Sequence, residues 1–251
     1  MNIGVFAAES VGLAIVELFR ERGQPISCLA LDNADSEGLN QRILEAAACE
    51  TVFRGSALYE PDTLNALKAL KLDLVILAWW PHIIRKPLFP VSRLGFLNMH
   101  PSLLPYNRGK HYYFWNIVEG APFGVTLHTI NEDIDSGHIA FQQPLDTRWV
   151  DTGRSLRDRA LGAMVDIFRE HFDQIVAGEL PRIPVDTSQG SFHWGRELEE
   201  ASRIDLDKQY TGRELLNILR ARSGFASGGA WFTDQGIRHE IAITITRQDN
   251  E

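Results

Sequence analysis

Leu72-Asp73-Leu74-Val75-Ile76-Leu77-Ala78 is apolar at every position but one. A strand wet on one face alternates apolar and polar residues, whereas a strand buried on both faces of a parallel sheet is a nearly unbroken apolar run. This stretch has the second pattern, and the residues around it agree. Upstream, Asn2 to Ala7 is a short β-rich run. Val11 to Arg22 follows with apolar residues at Val11, Ile15, Leu18 and Phe19, the spacing of one helical face. Ile26 to Leu31 predicts a strand, Leu39 to Ala48 a helix and Thr51 to Phe53 a short strand. Pro61 opens a helix to Leu70, since proline suits a first turn whose N–H groups are unpaired anyway. Strand and helix in regular succession predict an α/β fold, a doubly wound and mostly parallel sheet with right-handed crossovers. In such sheets ligands collect beyond the carboxyl ends of the strands.

Beyond Leu94 the pattern changes. Leu94 to Met99 predicts a strand that stops at His100-Pro101, Tyr112 to Glu119 a helix, and Phe123 to Ile130 an alternating strand. Ile139 to Leu145 is expected to pair with that strand, the two joined by the polar segment Asn131 to His138. Ser155 to Gly178 has the apolar spacing of one long helix. After Pro181 the chain turns polar and turn-rich, then offers a short helix (Gly212 to Ala221) and two strands near Ala230 to Thr233 and Arg238 to Thr246. Asp234-Gln235-Gly236 supplies the turn between them. The expected division is residues 1–184 as the main domain and 185–251 as a small α+β module ending in a β-hairpin.

Composition narrows the class. The 251 residues carry 25 Lys and Arg against 33 Asp and Glu, a net charge of -8. That balance disfavours a polynucleotide partner, because phosphate contacts need cations. Two cysteines, Cys28 and Cys49, make no disulfide framework and no CxxC pair, and are expected to be structural thiols. Met1 to Ala7 lacks the basic segment and cleavage site of a signal peptide, and no window reaches 18 uninterrupted apolar residues. A soluble, cytoplasmic chain is expected.

The chemistry concentrates in Gly95 to Gly109, GFLNMHPSLLPYNRG. Residues two apart on a strand share a side. Asn98 and His100 therefore project together above the sheet, an amide able to donate to a developing oxyanion beside an imidazole able to move a proton near neutral pH. Pro-Ser-Leu-Leu-Pro after them makes a stiff loop. Asp135, in Glu132-Asp133-Ile134-Asp135-Ser136-Gly137, is the third candidate, since a carboxylate facing His100 would raise its basicity and orient it. His111, His128 and His138 lack the spacing of metal ligands, so no metal is expected. Ala7 to Gly12 lacks GxGxxG, and no GxSxG occurs, which argues against a dinucleotide oxidoreductase and a serine hydrolase.

Asn98-x-His100, Ser102 to Pro105, Gly124-Val125-Thr126 and Asp133-x-Asp135-x-Gly137, in that order, resemble the folate-dependent formyltransferases. That group includes glycinamide ribonucleotide, methionyl-tRNA and sugar N-formyltransferases. The resemblance is firm over residues 72 to 145. It implies the Rossmann-like formyltransferase fold, N10-formyltetrahydrofolate as co-substrate, and Asn98, His100 and Asp135 as the catalytic positions. It also implies a pterin slot between Trp79 to Ile84 and Asn131 to Asp135. Trp79, Trp80, Pro81, Asn131, Glu132, Asp133 and Ile134 would border the ring, with Ile83 and Ile84 as an apolar wall. At the reacting centre Asn98, and His100 if protonated, would hold the oxyanion while Asp135 accepts the amine's proton. Which of His100 and Asp135 moves which proton stays open.

For the acceptor, a tRNA-directed member should carry a further C-terminal domain of about a hundred residues, basic enough for phosphate contacts. Here only the short module follows Pro184, with mixed charge. The purine-pathway enzyme normally stops near the end of the α/β domain. The layout is closest to the sugar N-formyltransferases and implies an amino-deoxy sugar on a nucleoside diphosphate, dTDP- or UDP-linked. The alternatives are another amine, glycinamide ribonucleotide or methionyl-tRNA, or a non-catalytic folate- or nucleotide-binding protein of the same fold. Ser10 and Gly12 at the first βα turn could meet phosphate or sugar hydroxyls, and Tyr106, Arg108, Gly109 and Lys110 could hold the diphosphate. A homodimer is expected, with the terminal strands Ala230 to Thr246 as its surface.

Overall fold

The apolar runs become strands, and the amphipathic stretches between them become helices. A computed structural model describes residues 1–226 and 228–248. Residue 227 and residues 249–251, which fall in the expected C-terminal module, lie outside the described residues. In chain order the first elements are β1 (Ile3–Ala7), α1 (Glu9–Glu21), β2 (Cys28–Leu31), α2 (Asn40–Ala47), β3 (Val52–Arg54), α3 (Pro61–Ala69), β4 (Leu74–Ala78) and β5 (Phe96–His100). Then come β6 (Arg108–Gly109), α4 (Tyr112–Glu119), β7 (Phe123–Thr129), β8 (Ile139–Leu145), α5 (Gly153–Glu170) and α6 (Phe172–Ala177). The last are β9 (Phe192–His193), α7 (Glu197–Ala201), α8 (Gly212–Arg222), β10 (Ala230–Asp234) and β11 (Ile237–Ile241).

Seven strands hydrogen-bond in the order β3-β2-β1-β4-β5-β7-β8. The first five pair in parallel, and β7 joins β5 antiparallel. This is the mostly parallel α/β sheet that the sequence predicts. Every residue of β1, β2 and β4 is buried, so the unbroken apolar run at Leu74 to Ala78 has its cause in a strand covered on both faces. Each fully buried Leu, Ile or Phe side chain contributes about 1.5–3 kcal/mol relative to exposure. Cys28 is buried and Cys49 half-buried; burial pushes the Cys28 thiol up to about 12 and raises that of Cys49. Both are packing residues. Among the described residues no helix is long and apolar enough to cross a membrane.

The chain divides into two compact units. One holds residues 1–100, 126–142 and 162–185; the other holds 101–125, 143–161 and 186–251. The second unit thus joins two internal segments to the C-terminal residues. Within that second unit α4 packs against α8, β6 pairs with β9, and β10 with β11 form a hairpin turned at Gln235 and Gly236. A reciprocal capping box between Thr211 and Glu214 starts α8. The hairpin ends at Ile241, short of the expected Thr246.

The expected helix from Ser155 to Gly178 is two helices, α5 and α6, separated at His171. There the backbone leaves helical geometry (φ -100°, ψ 14°), and the imidazole lies flat on Phe141 at 3.8 Å. Apolar spacing continues through the break because both helices bury Phe168 and Phe172 on the same side as Phe19.

The turn between β7 and β8 is closed by Thr129 N donating to His138 O at 2.8 Å and His138 N to Thr129 Oγ1 at 3.0 Å. Inside it Asn131 Oδ1 accepts from Asp133 N and Ser136 Oγ, tying the loop to itself. Gly137 is the fixed point. A Cβ there would overlap the Thr129 carbonyl oxygen, so the chain can pass β7 only as glycine. Gly137→Ala is expected to cost about 2–4 kcal/mol through forced displacement of the loop, lowering Tm by about 5 °C or more. Gly162→Ala is the control: it lies within α5 with open space where the methyl would go. It is expected to raise stability by about 0.5–1 kcal/mol. Thermal unfolding of the two variants checks both signs.

Candidate active site

Antiparallel pairing of β5 with β7 sets Asn98 opposite His128 and His100 opposite Thr126. Asn98 and His100 share a side of β5, as their spacing requires. Asp135 reaches the same place from the β7–β8 loop, with its backbone in the left-handed region (φ 50°), uncommon for a residue with a side chain. Asp135 Oδ2 lies 3.6 Å from His100 Nδ1 and Oδ1 lies 3.7 Å from His128 Nε2. At those distances the carboxylate faces both rings just beyond hydrogen-bond length. Catalytic pairs are often this loose before substrate arrives.

His128 is fully buried, and burial pushes its pKa down to about 4, against the smaller upward pull of the Asp135 charge. It is therefore neutral at physiological pH. Its Nδ1 lies 2.8 Å from the Thr129 carbonyl oxygen, which can only accept, so Nδ1 carries the hydrogen. Nε2 is then an acceptor, and Asn98 Nδ2 donates to it at 3.1 Å. This hydrogen bond fixes which end of the Asn98 amide is nitrogen and leaves its second N–H free to donate. His100 is 6% exposed, and its Nε2 is buried with no hydrogen-bond partner among the described residues. A buried, unmatched ring nitrogen costs about 1–3 kcal/mol until a partner meets it. The cluster thus offers one aimed amide donor, one imidazole with a free nitrogen and one carboxylate.

His128 enters this site as a residue that sequence reasoning passed over, weighing it only as a metal ligand. Its signal was the alternation along Gly124 to Thr129, which places it on one face of a strand, but its partner depends on cross-strand register.

The residues that the family resemblance assigns to folate fall in two places. Asn131 and Glu132 line a cavity of about 510 Å³ together with Phe89, Phe96, Ile130 and His138. Trp80, Pro81 and Ile83 line a different cavity, of about 630 Å³, beyond the carboxyl ends of β2 and β4. Ile84 is buried in the apolar cluster of Trp80 and Phe96, against which Ile130 packs. Lys86 pairs with Glu132 at 2.8 Å, joining the two segments at the surface. Trp79 has φ 61° and donates its indole N–H to Glu9 Oε2 at 2.9 Å. Asp133 is exposed and Ile134 half-buried within the β7–β8 loop.

The residues expected near the acceptor have mixed surroundings. Ser10 is exposed at the start of α1, while Gly12 is buried, and a Cβ there would press on Ala7 at 3.1 Å. The close packing of α1 onto β1 favours a small residue there. In the second unit, Arg108 and Gly109 form β6, with the Arg108 guanidinium 5.9 Å from the Phe192 ring centre. A Cβ on Gly109 would overlap the His193 carbonyl oxygen, so strand pairing requires this glycine. Tyr106 is half-buried and Lys110 exposed.

Residues 14–170 match the formyl transferase family, and residues 197–247 match the N-formyltransferase dimerization C-terminal domain. A dTDP-4-amino-4,6-dideoxyglucose formyltransferase of Mycobacterium tuberculosis is 31% identical over 150 residues, 60% of this chain and 64% of that protein. The chain thus matches somewhat less than two thirds of that relative's length. Among solved structures, a 4-N formyltransferase from Francisella tularensis superposes with a TM-score of 0.81 at 21% identity, covering 98% of both chains. A sugar N-formyltransferase from a Shewanella species superposes with a TM-score of 0.79 at 19% identity, covering 99% of both. A glycinamide ribonucleotide transformylase from Symbiobacterium toebii gives 0.61 at 25% identity, over 74% of this chain and 93% of that one. The match over residues 14–170 spans the sheet, the Asn98–His100 strand and the Asp135 loop, and by it this chain belongs to the formyl transferase family.

Proposed function

We propose that this chain transfers a formyl group from N10-formyltetrahydrofolate to the amino group of a nucleoside-diphosphate-linked amino-deoxy sugar, working in the cytoplasm as a homodimer. The observation that carries the reaction is the gathering of Asn98, His100 and Asp135 around the buried, neutral His128. The sugar-nucleotide acceptor has its support in the 31%-identical relative, whose own acceptor is a dTDP-amino sugar. The dimer has its support in the C-terminal match, and residues 185–251 are proposed as the dimer module.

The carrier supplies the formyl group, and the cavity beside the Asp135 loop suits its ring. Phe89, Phe96 and Ile130 give a flat heterocycle apolar walls, while Asn131, Glu132 and His138 put polar atoms at its edge. The volume of about 510 Å³ lies in the range of small-molecule sites.

Around the reacting carbonyl the chain's own groups have separate work. The free N–H of Asn98 donates to the carbonyl oxygen as negative charge develops there. His100 Nε2, without a hydrogen-bond partner among the described residues, is the group able to exchange a proton with the reacting atoms. Asp135 faces both imidazoles, so it can take the amine's proton directly or stabilise an imidazolium at His100 that has taken it. His128 does not exchange protons in this scheme. It holds the amide of Asn98.

In a formyl-transfer assay with 10-formyltetrahydrofolate against dTDP- and UDP-amino sugars, glycinamide ribonucleotide and methionyl-tRNA, turnover is expected on a sugar nucleotide. His100→Ala and Asn98→Ala should each lower kcat by about 100-fold or more. Turnover confined to glycinamide ribonucleotide or methionyl-tRNA would move the acceptor to another class.

His128 makes a second prediction. Its folded pKa, about 4, lies below the ordinary histidine value of 6.5, so between those pH values the unfolded chain binds more protons. Stability should fall as pH drops from 6.5 toward 4 and be flat with respect to this group above 6.5. His128→Leu should remove that part of the slope, measured as Tm against pH. It should also lower kcat by about tenfold with a smaller change in the folate KM, because the Asn98 amide loses its anchor. His128→Gln, which keeps an acceptor, should recover part of the rate.

A further inference from the structure

β6 and β9 are two residues each, tied by Arg108 N donating to Ser191 O and Lys110 N to His193 O, both at 3.0 Å. So short a pair is marginal by itself. Side chains of the same unit hold it. The His193 ring lies flat on Trp115 of α4 at 3.6 Å, with 7° between the planes. Its Nε2 is 2.7 Å from Glu119 Oε1, and its Nδ1 is 2.9 Å from Glu197 Oε2. Glu119 Oε2 accepts from Asn107 Nδ2 at 2.8 Å and from Ser191 Oγ at 2.7 Å. Glu197 Oε1 accepts from Trp194 N at 3.1 Å.

Carboxylate oxygens only accept. With each of these four oxygens facing a donor, both ring nitrogens of His193 carry hydrogen, and the ring is an imidazolium. A flat cation on an indole face strengthens the stack. The Glu197 carboxyl is held below the ordinary carboxylate range, first by the His193 hydrogen bond and then by the Trp194 N–H. The imidazole is 13% exposed, so salt screens it less than a surface pair. The other charged groups around β9 are cations. Lys110 and His111 border Gly195, and Arg108 and Arg196 lie over the rings of Phe192 and Trp194. They oppose charge on the ring, and the two carboxylates at hydrogen-bond distance outweigh them.

We propose that Glu119, His193 and Glu197 form a proton-dependent latch that positions Tyr106 to Lys110 for the acceptor. The latch is closed while the imidazole is charged. Loss of its proton leaves one carboxylate facing a nitrogen lone pair, so the latch loosens as pH rises. Glu119 and His193 are positioning residues: they act through Asn107 and through the β6–β9 pair on the segment that follows the Asn98–His100 strand. The effect on the acceptor rests on the binding role expected of Tyr106 to Lys110, whereas the latch itself does not.

The test is amide hydrogen exchange of the full chain, read at Arg108 and Lys110 and corrected for the intrinsic effect of pH, with steady-state kinetics at the same pH values. From about pH 6 to about pH 9, across the range in which an imidazole titrates, protection is expected to fall. The fall should be about tenfold or more, the scale of a hydrogen bond to a charged group, and the acceptor KM should rise by a similar factor. Glu197→Gln is the discriminating variant. Its Nε2 can donate to His193 Nδ1 while its Oε1 keeps the Trp194 N–H, so a neutral ring satisfies every contact. It should flatten both slopes and keep protection high at about pH 9. The pH profile of kcat, which belongs to the reacting centre, should be the same in both proteins. His193→Phe, which keeps the stack and loses both hydrogen bonds, should show low protection at every pH. Protection independent of pH in the parent, or the parent's slope persisting in Glu197→Gln, would overturn the latch. Protection that behaves as expected beside an acceptor KM flat with pH would overturn its role in positioning the acceptor. A failure of the sugar-nucleotide reading shows instead in which amine turns over, and KM is then read on that amine.

Discussion

The hydrogen bond from Asn98 to His128 depends on two strands being paired in one register. β5 and β7 are neighbours only because the sheet, parallel through its first five strands, accepts an antiparallel strand at β5's far edge. Slip that register by one residue and His128 faces the opposite side of the sheet. Asn98 would then have no acceptor to orient it. Burial does the rest. By holding His128 neutral, it makes Nε2 an acceptor; in water, protonation would turn the same nitrogen into a competing donor. A fully buried imidazole is therefore more than a packing residue here. It converts low dielectric into a defined direction for a neighbouring amide.

The β7–β8 loop is subject to the same constraint. Asp135 meets both imidazoles only because the loop returns tightly to β7, and that return goes through Gly137 against the Thr129 carbonyl. The left-handed backbone of Asp135 is a local cost, held by the Asn131 and Ser136 hydrogen bonds on either side. Such strain persists where surrounding structure over-determines it, as at reacting centres. The Asp-x-Gly spacing thus has a mechanical origin apart from any chemistry at the carboxylate.

What could be read from the chain was local. Leu74 to Ala78 announced a strand covered on both faces, and Asn98-x-His100 announced two side chains on one face, because period-two geometry operates within a strand. The helix break at His171 escaped, since apolar spacing runs through it and the stacking on Phe141 joins residues 30 apart in sequence. His128 escaped for the same reason: register between strands is a long-range property that no window of sequence contains. Gly12 and Gly109 drew attention as ligand-binding glycines, yet their backbones are pressed against Ala7 and His193. A glycine needed for close packing and one needed for a ligand look identical in sequence.

The carboxyl end of the sheet therefore carries two kinds of carboxylate that composition could not separate. Asp135 stands where a charge opposite two imidazoles can change with the reaction, and its loop is built to put it there. Asp32 stands at the end of β2 with one oxygen already spent on His82 and a backbone N–H. Asp32 is tied to the backbone just after β2 and to His82, whereas Asp135 faces the two imidazoles of the reacting centre.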